Sequence, residues 1–255
     1  MCLILFAWKI KEGFPLILAA NRDEFYERPT APADFWDEAP DVLAGRDLKG
    51  GGSWFGITRK GKLAALTNYR DPATLKKDAP SRGRLVSDYL LGDERPEEYL
   101  DRVASAAKRY NGFSLVVGDQ TELLYFSNRG EQLRLPPGIY GLSNRLLDTP
   151  WPKVERGKLA LAKILERKGA PSEGALFALL ADRSRPPDPT LPETGVGLER
   201  ERMLSPLFIE SPDYGTRSST VLTMDSRGDM TFVERAFHGG GEPWMTSRFS
   251  FRIGQ

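Results

Sequence analysis

One thiol serves a chain of 255 residues, and it stands at Cys2, directly behind the start methionine. Two roles fit it. Cys2 is either a small apolar residue in a buried strand or, once Met1 is removed, an N-terminal nucleophile. The second role needs no histidine. A free α-amine titrates near about 7.7–8.0 and a thiol near about 8.5, so at neutral pH each exchanges a proton with the other. The nucleophile then carries its own base. The only histidine, His238, lies far away in sequence, which suits that arrangement.

Four further polar groups sit where apolar runs end. They are Asn21-Arg22-Asp23-Glu24, Asn68-Tyr69-Arg70, Ser143-Asn144, and Arg217 at the head of SSTVLTM. Strand ends beside a long loop are where sites are built on a rigid scaffold. Taken singly, each has a plainer reading as turn chemistry or a solvated surface charge. Arg22, Arg46 and Arg70, with the glycines before Trp54, can receive carboxylates or phosphates. Glu24 lies beside them, and Trp54, Phe55 and Tyr69 can supply an apolar wall.

Other chemistry is excluded. With one cysteine and one histidine, a zinc site of the usual composition cannot be assembled, and no metal is expected. Gly56-Ile-Thr-Arg-Lys-Gly61-Lys62 has the opening of a phosphate-binding loop. It continues into Leu63, where a Ser or Thr is required, and reads as a hairpin. The HGGGEP phrase at 238–243 has no serine elbow to serve and reads as a turn.

Composition narrows the class further. The 36 basic and 35 acidic residues nearly cancel, so there is no electrostatic case for nucleic acid or an anionic membrane. A single cysteine excludes an internal disulfide framework. The apolar start is too short to span a bilayer and is followed by a charged turn, so a strand and a cytoplasmic protein are expected.

These groups need elements to position them. CLILFAWK is apolar on both faces, with Cys2, Ile4, Phe6 and Trp8 on one and Leu3, Leu5 and Ala7 on the other; such a strand lies inside a layered structure. PLILAANRD returns after a short turn. SWFGIT and KLAALTNY form a hairpin, as do FSLVVGD with TELLYFSN, and STVLTMD with MTFVERAF. Helices are expected over 81–91, 96–109, 152–168 and 173–182. Residues 27–52, with Pro29, Pro32, Pro40 and three consecutive glycines, read as a long irregular loop. Residues 183–195 read as an exposed proline-rich loop, and the chain ends in a tail. The order predicts antiparallel sheets covered by helices in one domain, 1–255.

Taken together, the motifs carry a resemblance. The chain resembles the NRDE family, also called the transport-and-Golgi-organization-2 family, over essentially its whole length. The matching segments include MC, ANRDEF (20–25), GRD (45–47), GGSWFG (51–56), TNYRDP (67–72), SRGRLV (81–86), LDTPWPK (147–153) and SSTVL (218–222). That family is similar to N-terminal-nucleophile hydrolases, which implies an α+β four-layer αββα sandwich with mostly antiparallel sheets. The resemblance implies Cys2 as nucleophile, and Asn21 or Asp23 as partner of its amine. Asn68 and Asn144 fall where asparagines bind the oxyanion or the amine, and Arg217 where an arginine lies beside the thiol. The pattern departs at one place. The arginine that precedes the acidic partner in the hydrolases is absent, and Asn21 or Ala20 stands there.

Two functions follow from the resemblance. One is an amidohydrolase cleaving an amide or thioester of a small molecule, with no cofactor required. The other is a carrier of haem, acyl-CoA or lipid, with haem a cargo rather than a cofactor. Axial ligation of haem would need Cys2, His238, a methionine or a tyrosine.

Overall fold

The computed structural model describes residues 2–254. Thirteen strands are present among the described residues. They are β1 (Cys2–Lys11), β2 (Phe14–Phe25), β3 (Thr30–Trp36), β4 (Ala39–Asp47), β5 (Phe55–Thr58), β6 (Leu63–Asn68), β7 (Phe113–Gly118), β8 (Leu123–Ser127), β9 (Gln132–Arg134), β10 (Gly138–Leu142), β11 (Tyr214–Met224), β12 (Asp229–Ala236) and β13 (Met245–Arg252). They form two antiparallel sheets, ordered β10-β1-β2-β11-β12-β13 and β3-β4-β5-β6-β7-β8-β9. The α-helices are α1 (Arg84–Leu91), α2 (Pro96–Ala106), α3 (Pro152–Leu165), α4 (Glu173–Leu180) and α5 (Leu198–Leu204).

Strand alternation explains the layers. Even residues of β1 and β2, such as Ile4, Phe6, Leu16 and Leu18, pack against Leu43, Phe55 and Val116 of the second sheet. Phe55 stacks on Phe232 across that interface, with ring centroids 5.6 Å apart. Odd residues, such as Leu3, Leu5 and Ile17, face Val154, Leu161 and Leu176 of α3 and α4. The far side of the second sheet packs on Leu85, Tyr89 and Leu100 of α1 and α2. The result is helix, sheet, sheet, helix, the αββα sandwich. The period-2 pattern dictates it, because a strand apolar on both faces must be covered twice.

Two expectations change. Residues 27–52 are not a long irregular loop: β3 and β4 occupy most of the segment. The prolines are tolerated because β3 is an edge strand with a register shift between Ala31 and Asp34, and Pro40 sits at the start of β4. The irregular stretch shrinks to the glycine-rich turn between β4 and β5. The C-terminal tail also holds a strand, β13, whose Phe249 and Phe251 pack against Phe35. The proline-rich stretch stays irregular and largely exposed, save one 3-10 turn at Asp188–Thr190, and α5 follows it.

One side chain joins the two sheets. Glu234 on β12 is fully withdrawn from solvent and accepts the Ala33 N–H of β3 at 2.7 Å and the Thr220 hydroxyl at 3.2 Å.

Candidate functional site

The site begins with strand register. Cys2 pairs with Arg22 on β2, and Arg22 pairs in turn with Ser218 on β11. This brings the first residue of β1 and the last turn of β2 to one end of the sandwich. A cleft of about 490 Å³ opens there. Of the residues singled out in the sequence, Cys2, Arg22, Asp23, Glu24, Trp54 and Asn68 line it. Arg28, Asp47, Lys49, Lys77 and Arg82 complete the charged part of the wall.

Two glycines hold the floor and rim. Gly45, in GRD, lies under the Trp54 ring, where a Cβ would come within 2.4 Å of the indole carbons. Trp54 is thereby free to lie beneath the Arg22 guanidinium, 4.1 Å from its ring centre. Gly52, at φ +81, packs against Gly83, where a Cβ would meet backbone at 2.4 Å. The motifs GGSWFG and SRGRLV are therefore two halves of one loop contact, which the Ser53 N–H closes by donating to the Gly83 carbonyl at 3.1 Å. Gly45→Ala is expected to lower stability by about 1–3 kcal/mol through overpacking and to displace Trp54. The midpoint of urea unfolding and the tryptophan emission maximum check this.

Charge in the site is organised around burial. Burial pushes the Cys2 thiol above its ordinary range and the Asp23 charge adds to this, while Arg22 and the Asp23 backbone N–H oppose it. Burial also raises Asp23, opposed by Lys153, by a 2.8 Å hydrogen bond from the Thr216 hydroxyl, and by Arg70. Lys153, in the first turn of α3, is itself buried and pushed down to about 8, with Asp23 resisting that fall. Its Nζ donates to the Leu204 carbonyl at 3.1 Å.

Between about pH 8 and an ordinary lysine value near 10.4, the unfolded chain keeps a proton that folded Lys153 has released. Stability from this residue therefore rises with pH in that window. The Tm of the wild type relative to Lys153→Met is expected to climb from about pH 7.5 to about pH 10. A flat or falling difference would refute the buried, weakened ammonium.

Several predicted residues are placed elsewhere. Asn21 pairs with Leu3 in register, and its amide is fully engaged: Nδ2 donates to the carbonyls of Leu180 and Leu207, and Oδ1 accepts from Ser219. Arg217 is not among the residues that line the cleft with Cys2. It falls at the register shift between Thr216 and Ser218, and its Nη1 donates to the carbonyls of Phe25, Tyr26 and Arg28, bracing the turn after β2. Arg46 stacks on Trp36 and pairs with Glu38, and Tyr69 packs under Arg145. Neither lines the cleft. Arg70 is buried against Glu201 at 2.5 Å instead of facing a ligand.

Asn144 stands behind the site. Its Nδ2 donates to the Asn68 carbonyl at 3.0 Å, and its Oδ1 accepts from Arg70 at 3.4 Å. Sequence reasoning missed Lys153, Glu201 and Arg82. For Lys153 the signal was present, since it closes the matched segment LDTPWPK. Glu201 lies in α5, a helix the reading did not predict, so nothing marked it.

Among the described residues, no group of three or more His, Cys, Asp or Glu side chains is arranged to hold a metal ion. Among the described residues, no helix is long and apolar enough to cross a membrane. The segment that begins like a phosphate-binding loop is the β5–β6 hairpin.

The profile of the family described as Transport and Golgi organisation 2 matches residues 1–239. A Bos taurus relative named Transport and Golgi organization protein 2 homolog is 41% identical over 275 residues, covering 99% of both chains. Among solved structures, a mutant conjugated bile acid hydrolase from Clostridium perfringens superimposes with a TM-score of 0.54 at 11% identity, covering 98% of this chain and 92% of that one. The Caenorhabditis elegans N-acylethanolamine-hydrolyzing acid amidase ortholog gives a TM-score of 0.53 at 11% identity, over 87% of this chain and 92% of that one. At such identities the likeness is one of fold.

Proposed function

The chain belongs to the Transport and Golgi organisation 2 family and has the αββα fold of N-terminal-nucleophile hydrolases, and from that premise we propose that it is a cysteine amidohydrolase. It acts on an amide or thioester of a small molecule, with Cys2 as nucleophile. One observation carries the reading: the chain's only thiol opens on the charged cleft at the end of the sandwich, with Asp23 in the same wall.

Removal of Met1 frees the Cys2 amine, which takes the thiol proton as sulfur attacks the substrate carbonyl. The carbonyl oxygen becomes an oxyanion, for which the Asn68 amide is the candidate donor. Collapse breaks the carbon–nitrogen or carbon–sulfur bond, and the ammonium returns its proton to the leaving group. Water, deprotonated by the same amine, then hydrolyses the thioester on Cys2 and restores the thiol. Of the two candidate partners for the amine, Asp23 is preferred, because the Asn21 amide is already taken up by Leu180, Leu207 and Ser219. Lys153 and Arg70 supply positive charge near Asp23 where the hydrolase pattern has an arginine.

The intact mass of purified protein tests this, alone and after incubation with amide and thioester panels. Loss of one methionine and an acyl adduct on the Cys2 peptide are expected. Full retention of Met1 with no adduct removes the base and leaves the carrier reading. That second reading is favoured by one feature of its own, the cations of the cleft.

A further inference from the structure

The cleft is built with more positive charge than its own acids neutralise. Its wall holds Arg22, Arg28, Lys49, Lys77 and Arg82 against Asp23, Glu24 and Asp47. Arg28 engages two of the acids, Asp47 at 2.6 Å and Glu24 at 3.8 Å. The third, Asp23, is bonded by Thr216 and neighboured by Lys153. None of the ion pairs among the described residues includes Arg22, Lys49, Lys77 or Arg82.

For the two lysines this is ordinary, since both are exposed on the rim and hydrated. For the two arginines it is not. Arg22 is only 5% exposed, and its guanidinium meets neutral groups, the Trp54 ring and the Thr30 hydroxyl at 3.1 Å. Glu234, the buried carboxylate that senses its charge, is held by Ala33 and Thr220. Arg82 is half-buried and donates to the Gly112 carbonyl at 2.8 Å. Burial lowers it to about 10, and the charge of Glu24 only partly offsets that. A guanidinium withdrawn from water with no carboxylate bonded to it is costly unless an anion arrives to pair with it.

We propose that this cleft binds the polyanionic end of its ligand, a diphosphate or polycarboxylate group, between Arg82 and the rim lysines Lys49 and Lys77, with Arg22 on Trp54 as its inner wall. The inference rests on this cleft being the ligand site but not on catalysis, so it holds for a substrate or for a cargo. Planar guanidinium groups bond oxyanions through paired N–H donors, and rim lysines add attraction at longer range.

Calorimetric titration of the full chain at low salt, with inorganic pyrophosphate and separately with citrate, tests it. Saturable binding of either anion is expected, weakening as salt is raised. Pyrophosphate alone identifies a phosphate group, and citrate alone a carboxylate group. The double variant K49Q/K77Q is expected to weaken binding about tenfold. Arg82→Gln should weaken it further, with a melting curve confirming that it folds. No heat with either anion, or affinity untouched in both variants, would overturn the proposal. Because binding is read directly, a protein that binds the anion yet never forms an acyl adduct would reject the hydrolase reading and keep this one.

Discussion

Cys2→Ala is expected to lower kcat/KM by about 10³-fold or more for any amide or thioester that this protein cleaves, with little change in Tm. The two readouts separate because Cys2 contributes little to packing. It is half-buried at the first position of β1, and the apolar contacts of that strand begin with its neighbours Leu3 and Ile4. Removing the sulfur therefore deletes the atom that forms the covalent bond and leaves the layers in place. Asn68→Ala is the companion. Loss of one oxyanion donor is expected to cost about 10²–10³ in kcat, with a smaller effect on KM. If Cys2→Ala keeps full turnover, the nucleophile is assigned wrongly.

Glu201→Ala is expected to destabilise the fold by about 3–5 kcal/mol, because it strands a buried cation. Arg70 and Glu201 are both almost fully withdrawn from water, and Nη1 meets Oε2 at 2.5 Å. The other carboxylate oxygen accepts the Thr194 N–H at 3.0 Å and the Thr194 hydroxyl at 2.5 Å, fastening the end of the proline-rich loop. Substituting both partners, Arg70→Met with Glu201→Met, is expected to restore much of the loss, since neither charge is then left alone. Urea unfolding curves with an unchanged m-value check both variants. The same pair also bears on the site. Arg70 donates to Asn144, which holds the Asn68 carbonyl, so Glu201→Ala should loosen Asn68 even at temperatures where the chain stays folded.

Parts of this were legible from residue order. The layered fold follows from β1 and β2, because residues apolar at every position can be buried only between a second sheet and helices. The hairpins at 55–68, 113–127 and 214–236 follow from alternating apolar runs with short turns between them. Where reading by composition failed, proline and glycine content at 27–52 outweighed the local pairing of β3 with β4, and the glycines at 239–241 outweighed the strand that follows them onto β12. Edge strands tolerate proline, so a proline-rich segment is weak evidence against them.

Within the site, the sequence by itself determined the level at which chemistry could gather. Cys2, the 21–24 segment and Asn68 all lie at strand ends, and strand ends in a layered fold share a rim. Which of them face the cleft was decided only by tertiary structure. Neighbouring residues on a strand point to opposite faces, so Arg22 lies on Trp54 while Asn21 is tied to Leu180 and Leu207. A single register shift at Thr216/Ser218 places Arg217 on the turn carbonyls. Lys153 and Glu201 reach Asp23 and Arg70 from helices more than a hundred residues downstream. Local pattern carries the side on which a residue stands, whereas its partner depends on how separate elements dock, and no spacing within one segment records that.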